Sequence, residues 1–282
     1  MVKLITVATH YEGYLKWLEA SCKRYNVNLI KLGWGEKWKD FAWRFDLVLN
    51  YLEIIIKQDP YELIIFIDGY DVLLLKSLDD IEQVFNQITK YTNKKIIISK
   101  DRHYYYHKLI FAYWKFDICK GLLLNAGTYM GRVIDVFNML KQIKQNNSNN
   151  IRDDQILLTQ YCNIHKDIIY IDNDSNIFLV YMTSPEKSIL DNKNIKLNKN
   201  NELIYFNAKP YFIHGPANTK LIELLIKLNY NITPEEINQI YIEGLINRNK
   251  KRRNFFSYFY KYIFALSFFI ILITGILYKK LS

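Results

Sequence analysis

Cysteine is scarce in this 282-residue chain: Cys22, Cys119 and Cys162 are odd in number and include no CxxC pair. A zinc ribbon or a disulfide framework is therefore not expected, and the three read as reduced core thiols, as in a cytosolic body. No signal peptide is expected either, because MVKLITVATH turns polar too soon and reads instead as a first strand, Lys3–Thr9. No internal repeat is visible. The formal charge of +10 is not spread along an aromatic-interleaved basic stripe, so nucleic acid is not an expected partner. Much of the excess sits at the end, in NRNKKRR (Asn247–Arg253) and at Lys261, Lys279 and Lys280.

Apolar and aromatic content are not lacking, and 50% hydrophobic residues rule out a disordered polymer. Asn, Ile, Lys and Tyr are over-used in all settings, as AT-rich codons would produce, so a surplus Lys or Tyr carries little signal. From Phe255 to Tyr278 the one charge is Lys261. Tyr262–Tyr278 alone would span roughly 25 Å as a helix, the short end of a membrane crossing. Lys261 can snorkel, and Phe255, Phe256, Tyr258, Phe259 and Tyr260 suit an interfacial belt. Five positive charges before the span and two after it place the preceding body in the cytosol. The expectation is a single-pass protein anchored in the lipid bilayer by its C-terminus. Sequons at Asn146, Asn173 and Asn231 would then be unused.

The remaining organisation is residues 1–230 as one globular domain, 231–254 as a basic helical connector and 255–278 as the transmembrane helix. Within the domain, apolar runs alternate with helix-period segments. Strands are expected at Lys3–Thr9, Val27–Leu32, Leu63–Asp68, Lys95–Ser99, Ile168–Ile171, Ile177–Tyr181, Leu203–Phe206 and Tyr211–Ile213. Helices are expected at Glu12–Tyr25, about Trp43–Gln58, Leu78–Lys90, about Arg132–Lys144, from Asp153, and after Ile213. That alternation predicts an α/β fold, a mixed and mostly parallel sheet flanked by helices.

Two carboxylates stand out in LIIFIDGYDVLLL (Leu63–Leu75). Asp68 ends an apolar strand and is delivered to the carboxyl edge of the sheet, where ligands bind in open α/β folds. Asp71 can face the same point across a turn at Gly69. Adjacent carboxylates repel unless a cation lies between them, and hard oxygen ligands select Mg²⁺ or Mn²⁺, which commonly also hold phosphates. The bland alternative is one Asp capping the next element while the other is solvated. A haloacid-dehalogenase phosphatase would need its acids two apart, and here they are three apart. His214, after another apolar strand, can reach the same edge as a third ligand. Gly215 and Lys220 beyond it suit phosphate oxygens. Asp153 and Asp154 open a helix, where capping is the competing explanation. Asn125–Ala126–Gly127 interrupts a strand with small residues, as a close backbone approach requires.

VATHYEGY, GWGEKW, FIDGYDVLL, LNAGTYMG, DDQ and HGPANTKL occur in this order. Together they resemble the glycosyltransferase domain of procollagen lysyl hydroxylases and related collagen glucosyl- and galactosyltransferases, over about Lys3–Leu225. The resemblance implies a GT-A, Rossmann-like fold that uses Mn²⁺, or Mg²⁺, to transfer a hexose from a UDP-sugar to a protein or glycan acceptor. It implies Asp68, Asp71 and His214 as metal ligands and Tyr70 as a platform for uracil. Thr6, Ala8, Thr9, Trp38, Arg44 and Asp101 would belong to the donor site, with Gly215 and Lys220 on the diphosphate. Asn125, Asp153 and Asp154 would face the donor sugar and acceptor as catalytic residues. The acceptor would be hydroxylysine or its galactosyl derivative. No HxD…H iron triad occurs, so lysyl hydroxylation is not expected. The segment KDRHYYYHKLIFAYWKFD departs from the family after Asp101, and its residues 103–114 would cover the acceptor. Members in large DNA viruses also lack secretory signals, and the coding bias fits that source. The competing function is a catalytically inactive, membrane-anchored scaffold, and a phosphotransfer enzyme on the same fold is a third.

Overall fold

The computed structural model describes residues 2–102, 115–183, 187–216, 219–244 and 246. The main sheet is built from β1 (Val2–Val7), β2 (Leu29–Leu32), β3 (Leu63–Asp68), β5 (Ile96–Lys100), β6 (Leu124–Arg132) and β7 (Ile169–Asp172). Their spatial order is β2-β1-β3-β6-β5-β7. β1 pairs in parallel with β2 and β3, β5 pairs in parallel with β7, and β6 alone runs against its neighbours β3 and β5. Five strands thus share one direction, as the α/β alternation predicts. Beside this sheet lies a smaller one in the order β4-β11-β8, from β4 (Val72–Leu74), β8 (Phe178–Val180) and β11 (Phe212–His214). β9 (Ile195–Leu197) and β10 (Leu203–Tyr205) form a hairpin.

The helices are α1 (Leu15–Arg24), α2 (Trp43–Ile55), α3 (Ile81–Thr92), α4 (Val133–Asn146), α5 (Asp154–Ile164) and α6 (Ile222–Lys227). Strand parity decides which helices each side chain meets. Ile64 and Phe66 of β3 enter a core with Trp43, Val48 and Leu52 of α2, Val136 and Leu140 of α4, and Leu158 of α5. Leu63, Ile65 and Ile67 face the other way, onto Leu15 and Leu18 of α1, Ile81 and Phe85 of α3, and Phe178 and Phe212 of the small sheet. With both faces covered, β3 can be apolar throughout. Asp68 has the parity of Ile64 and Phe66, so it emerges on the α2 side.

β3 has the bounds its apolar run predicts, whereas α1 starts later than Glu12. Gly13 is left-handed there (φ +55°), and the Tyr14 amide leaves the helix to donate to the Tyr70 carbonyl at 2.8 Å. A Cβ on Gly13 would overlap that same carbonyl oxygen. Gly69 is needed for another reason than the turn proposed from sequence. Its φ is not positive, and an added Cβ would lie 3.0 Å from Thr6 Oγ1 and 3.1 Å from the Val7 carbonyl. Close approach to β1, not turn geometry, makes it glycine. The polar stretch before Asn201 also hides β9 and a short 3₁₀ turn at Ile189–Asp191, closed by a reciprocal Ser188–Asp191 cap.

The cysteine expectation is corrected. Cys119 and Cys162 form a disulfide that joins the segment before β6 to α5, and Cys22 alone is free and buried. Both half-cystines are fully buried in the α2 side of the core, where packing from two distant segments aligned them. The support that three reduced thiols lent to a cytosolic body is thereby removed.

The chain divides into two units at Thr233/Pro234. In the second, residues 234–244 are helical. The expected transmembrane helix at 255–278 and the acceptor cover at 103–114 lie outside the described residues. Among the described residues no helix is long and apolar enough to cross a membrane.

Candidate metal centre

The carboxyl ends of β1, β2, β3, β5 and β7 open on one edge of the main sheet. Thr6, Ala8 and Thr9 lie at or just beyond the end of β1, Trp38 and Arg44 follow β2, and Asp68, Tyr70 and Asp71 follow β3. Asp101 follows β5, and Asn125 opens the reversed strand β6 at the same edge. The small sheet adds His214. β11 pairs antiparallel with β4 so that His214 sits opposite Val72, one residue from Asp71. The Gly215 amide then donates to the Asp71 carbonyl at 2.8 Å and fixes the register.

Asp68, Asp71 and His214 are thereby brought together from two sheets, each offering an atom within 4.8 Å of the others. His214 Nε2 lies 3.1 Å from Asp71 Oδ1 and 3.6 Å from Asp68 Oδ2. The ring is buried, its side chain 3% exposed, yet neither nitrogen has a hydrogen-bond partner among the described residues. An orphaned, buried imidazole costs stability unless something takes its lone pair. Two carboxylates and one imidazole fit Mn²⁺ or Mg²⁺, with open positions left for phosphate oxygens.

The backbone makes room for this group. Ile67 pairs with Thr128 in β6, which brings Gly127 opposite Asp68. A Cβ at Gly127 would sit 2.5 Å from Asp68 Oδ2 and closer still to His214 Cε1. The β5–β6 register slips between Ile98 and Ser99, so Ile98 pairs with Tyr129 and Ser99 with Asn125. The Ser99 hydroxyl fills the irregularity, its one proton shared between the carbonyls of Asn125 (3.2 Å) and Thr128 (3.3 Å). Asn125 Oδ1 accepts the Gly127 amide at 2.9 Å. Asn125 therefore shapes the bulge that presents Gly127, and the small-residue interruption expected from the sequence is a built feature.

Arg44, at the start of α2, meets Asp68 on the shared face. Its Nη1 donates to Asp68 Oδ1 and its Nη2 to Asp154 Oδ2. The guanidinium lies over the rings of Phe41 and Phe66, at 5.3 and 5.7 Å. Burial raises the Asp154 carboxyl above its ordinary range, and the Arg44 guanidinium offsets only part of that rise. Asp153 accepts the Gln155 and Ile156 amides (3.2 and 3.4 Å) as the N-cap of α5 and also receives Lys115 Nζ at 2.8 Å. In this structure, then, Asp153 has the partners of a helix cap and Asp154 those of a buried ion pair.

On the other side, the Tyr70 hydroxyl accepts the Thr9 amide at 2.8 Å and lies 3.3 Å from Thr9 Oγ1. The β1 and β3 loops are joined in this way. Thr6 is buried, and its hydroxyl has no hydrogen-bond partner among the described residues. Trp38 packs edge-on against Phe41 and Trp43, at 5.5 and 5.8 Å. Asp101 is buried and donates its amide to the Leu123 carbonyl at 2.9 Å. The Lys220 backbone carbonyl accepts the Ile189 amide. Tyr14 was not foreseen as a site residue. Its hydroxyl accepts the Leu221 amide at 3.0 Å and donates to the Thr219 carbonyl at 3.4 Å, and burial pushes its pKa up to about 12. Its amide holds Tyr70, so one residue ties together both loops around Asp71 and His214.

The ordered motifs, now joined by this ligand geometry, agree with the comparison by family: residues 1–237 match the family described as PLOD GT domain. The chain belongs to that family. It is a glycosyltransferase of the PLOD GT type. A Drosophila melanogaster protein named procollagen-lysine,2-oxoglutarate 5-dioxygenase is 29% identical over a 167-residue alignment that covers 56% of this chain. The match spans 22% of that protein's length. Two solved structures are similar in outline to this PLOD GT domain. One is a glycosyltransferase involved in glycosylation of the major capsid of PBCV-1, with TM-score 0.42 and 11% identity, covering 81% of this chain and 98% of the other. The second is mouse xyloside xylosyltransferase 1, apo form, with TM-score 0.35 and 16% identity, covering 62% and 64%.

Proposed function

We propose that this domain transfers a hexose, glucose or galactose, from a UDP-sugar to a hydroxyl acceptor. The observation that carries the reading is the buried imidazole of His214, which makes no hydrogen bond among the described residues yet converges with two carboxylates, in a family of glycosyltransferases. Asp68, Asp71 and His214 would hold Mn²⁺ or Mg²⁺. The bound cation would supply neutralisation of charge on the departing UDP. Tyr70, its hydroxyl pinned by Thr9, offers a fixed ring for uracil. Gly215 and Lys220, on the loop that Tyr14 braces, suit the diphosphate. Asp153 and Asp154 support the site through the α5 cap and Arg44. The procollagen lysine in the fly relative's name suggests a hydroxylysine, free or galactosylated, as acceptor. The segment 255–278 would anchor the domain to a bilayer.

The direct experiment is UDP release from UDP-glucose and UDP-galactose, with hydroxylysine peptides, with Mn²⁺ and with EDTA. Mn²⁺-dependent release that rises with acceptor supports transfer. Failure of the protein to bind UDP in the presence of Mn²⁺, measured by calorimetry, would leave a scaffold.

A further inference from the structure

The two oxygens of Asp68 are used separately. Oδ1 accepts from Arg44 Nη1, while Oδ2 lies on the side of His214, 3.6 Å from Nε2. Arg44 is held in turn by Asp154, which is buried, and the Arg44 side chain itself is 8% exposed. A planar guanidinium gripping two carboxylates through its two Nη atoms fixes both in orientation, which a lysine cannot do. Its positive charge is also cancelled locally by Asp154. The formal charge left facing the cation is that of Asp68 and Asp71, minus two, matching a divalent ion.

We infer that Arg44 and Asp154 form a positioning pair that makes Asp68 a one-oxygen metal ligand and sets the cation affinity of the site. Arg44 is thereby an internal brace rather than a contact to the nucleotide. Its place follows from strand parity: Asp68 shares the α2-facing side of β3 with Phe66, over whose ring Arg44 lies. The inference rests on the metal reading of Asp68, Asp71 and His214, and the test separates the two.

Mn²⁺ binding to the full chain, read as loss of the free-ion paramagnetic resonance signal, is compared among the wild type and three variants. Asp71→Ala tests the metal reading, and wild type that binds no Mn²⁺ would overturn that reading and this inference with it. Asp154→Asn keeps shape but leaves the Arg44 charge uncancelled beside Asp68. Arg44→Lys keeps charge but loses the two-pronged grip. Each is expected to weaken Mn²⁺ binding about tenfold, the lower end of what loss of a metal site's supporting partner costs. The bound-ion spectrum should also broaden in Arg44→Lys, because Asp68 can turn. Affinities within twofold of wild type for both variants, with Asp71→Ala inactive in binding, would overturn the inference alone. A measurement on the unaltered protein removes dependence on variant folding. Anomalous diffraction from a Mn²⁺-soaked crystal should show one Asp68 oxygen on the metal and the other on Arg44, and a bidentate Asp68 would refute the inference.

Discussion

Gly127→Ala is the sharpest single-atom test of the centre. The Gly127 backbone lies outside the left-handed region, so alanine is conformationally permitted and any effect comes from the added methyl. That methyl would stand 2.5 Å from Asp68 Oδ2, where ordinary contact is about 3.5 Å, so about 1 Å must be found. His214, which would be overlapped more closely, is buried between β4 and β8 and cannot retreat. Asp68 is gripped by Arg44. Metal sites tolerate displacements of only about 0.2 Å. The expected result is a loss of Mn²⁺ affinity of at least about 100-fold, beyond the usual range for disturbing a supporting group. Overpacking should also cost about 1–3 kcal/mol of stability. Gly131→Ala, on the same strand, is the control. Its methyl would meet Val136 Cγ2 at 3.0 Å, a packing cost far from the ligands, and Mn²⁺ binding should survive. Calorimetric titration with Mn²⁺, alongside thermal melting, reads both quantities. Wild-type affinity in Gly127→Ala would refute the claim that this strand shapes the metal chamber.

Asp71→Ala should abolish Mn²⁺-dependent turnover while leaving the melting temperature nearly unchanged, since the side chain is part-exposed; full activity would sink the metal assignment. Tyr14→Phe removes the hydroxyl that holds Leu221 and Thr219, and is expected to cost about 1–3 kcal/mol for the buried amide left unpaired, read as a lower melting temperature; an unchanged melt would deny the hydroxyl that role. Asp153→Ala deletes the α5 cap and should lower stability by about 0.5–2 kcal/mol in a urea titration, and an unchanged midpoint would deny the cap any weight. In protein purified without reductant, Cys119 and Cys162 should resist alkylation after unfolding until a reductant is added, whereas Cys22 should label on unfolding alone.

The long elements were legible because a single apolar period runs through them. LIIFID announces β3 and its terminal acid, and the three residues that the fold gathers, Asp68, Asp71 and His214, are acids or a histidine placed after apolar runs. What escaped depends on partners far apart in the chain. Arg44 meets residues 24 and 110 positions away, and nothing in its local sequence marks it as a bridge. Strand parity was the available signal, since it puts Asp68 on the face of Phe66 and hence on the α2 side. The disulfide escaped for the same reason: its cysteines lie 43 residues apart in different elements, and an odd count argued against pairing. Gly127 was visible as an interruption, but its role needed the slipped β5–β6 register. β4 continues the same apolar run as β3 beyond Asp71, and β9 sits inside a polar stretch, so neither stood out as a separate strand.

The reversal of β6 has one more consequence. Because β5 runs toward the ligand edge and β6 runs away from it, the connection from residue 101 to 123 departs and returns at that edge, with Lys100 paired to Leu124 at its foot. Asp68, Asp71 and His214 all come from other parts of the chain. The connection's returning limb is not loose, because Cys119 is buried in the core and bonded to Cys162 of α5. The antiparallel return thus brings the two ends of that connection side by side, the Asp101 amide donating to the Leu123 carbonyl at 2.9 Å, so a pull on either end is felt at the strand pair that frames Asp68 and His214.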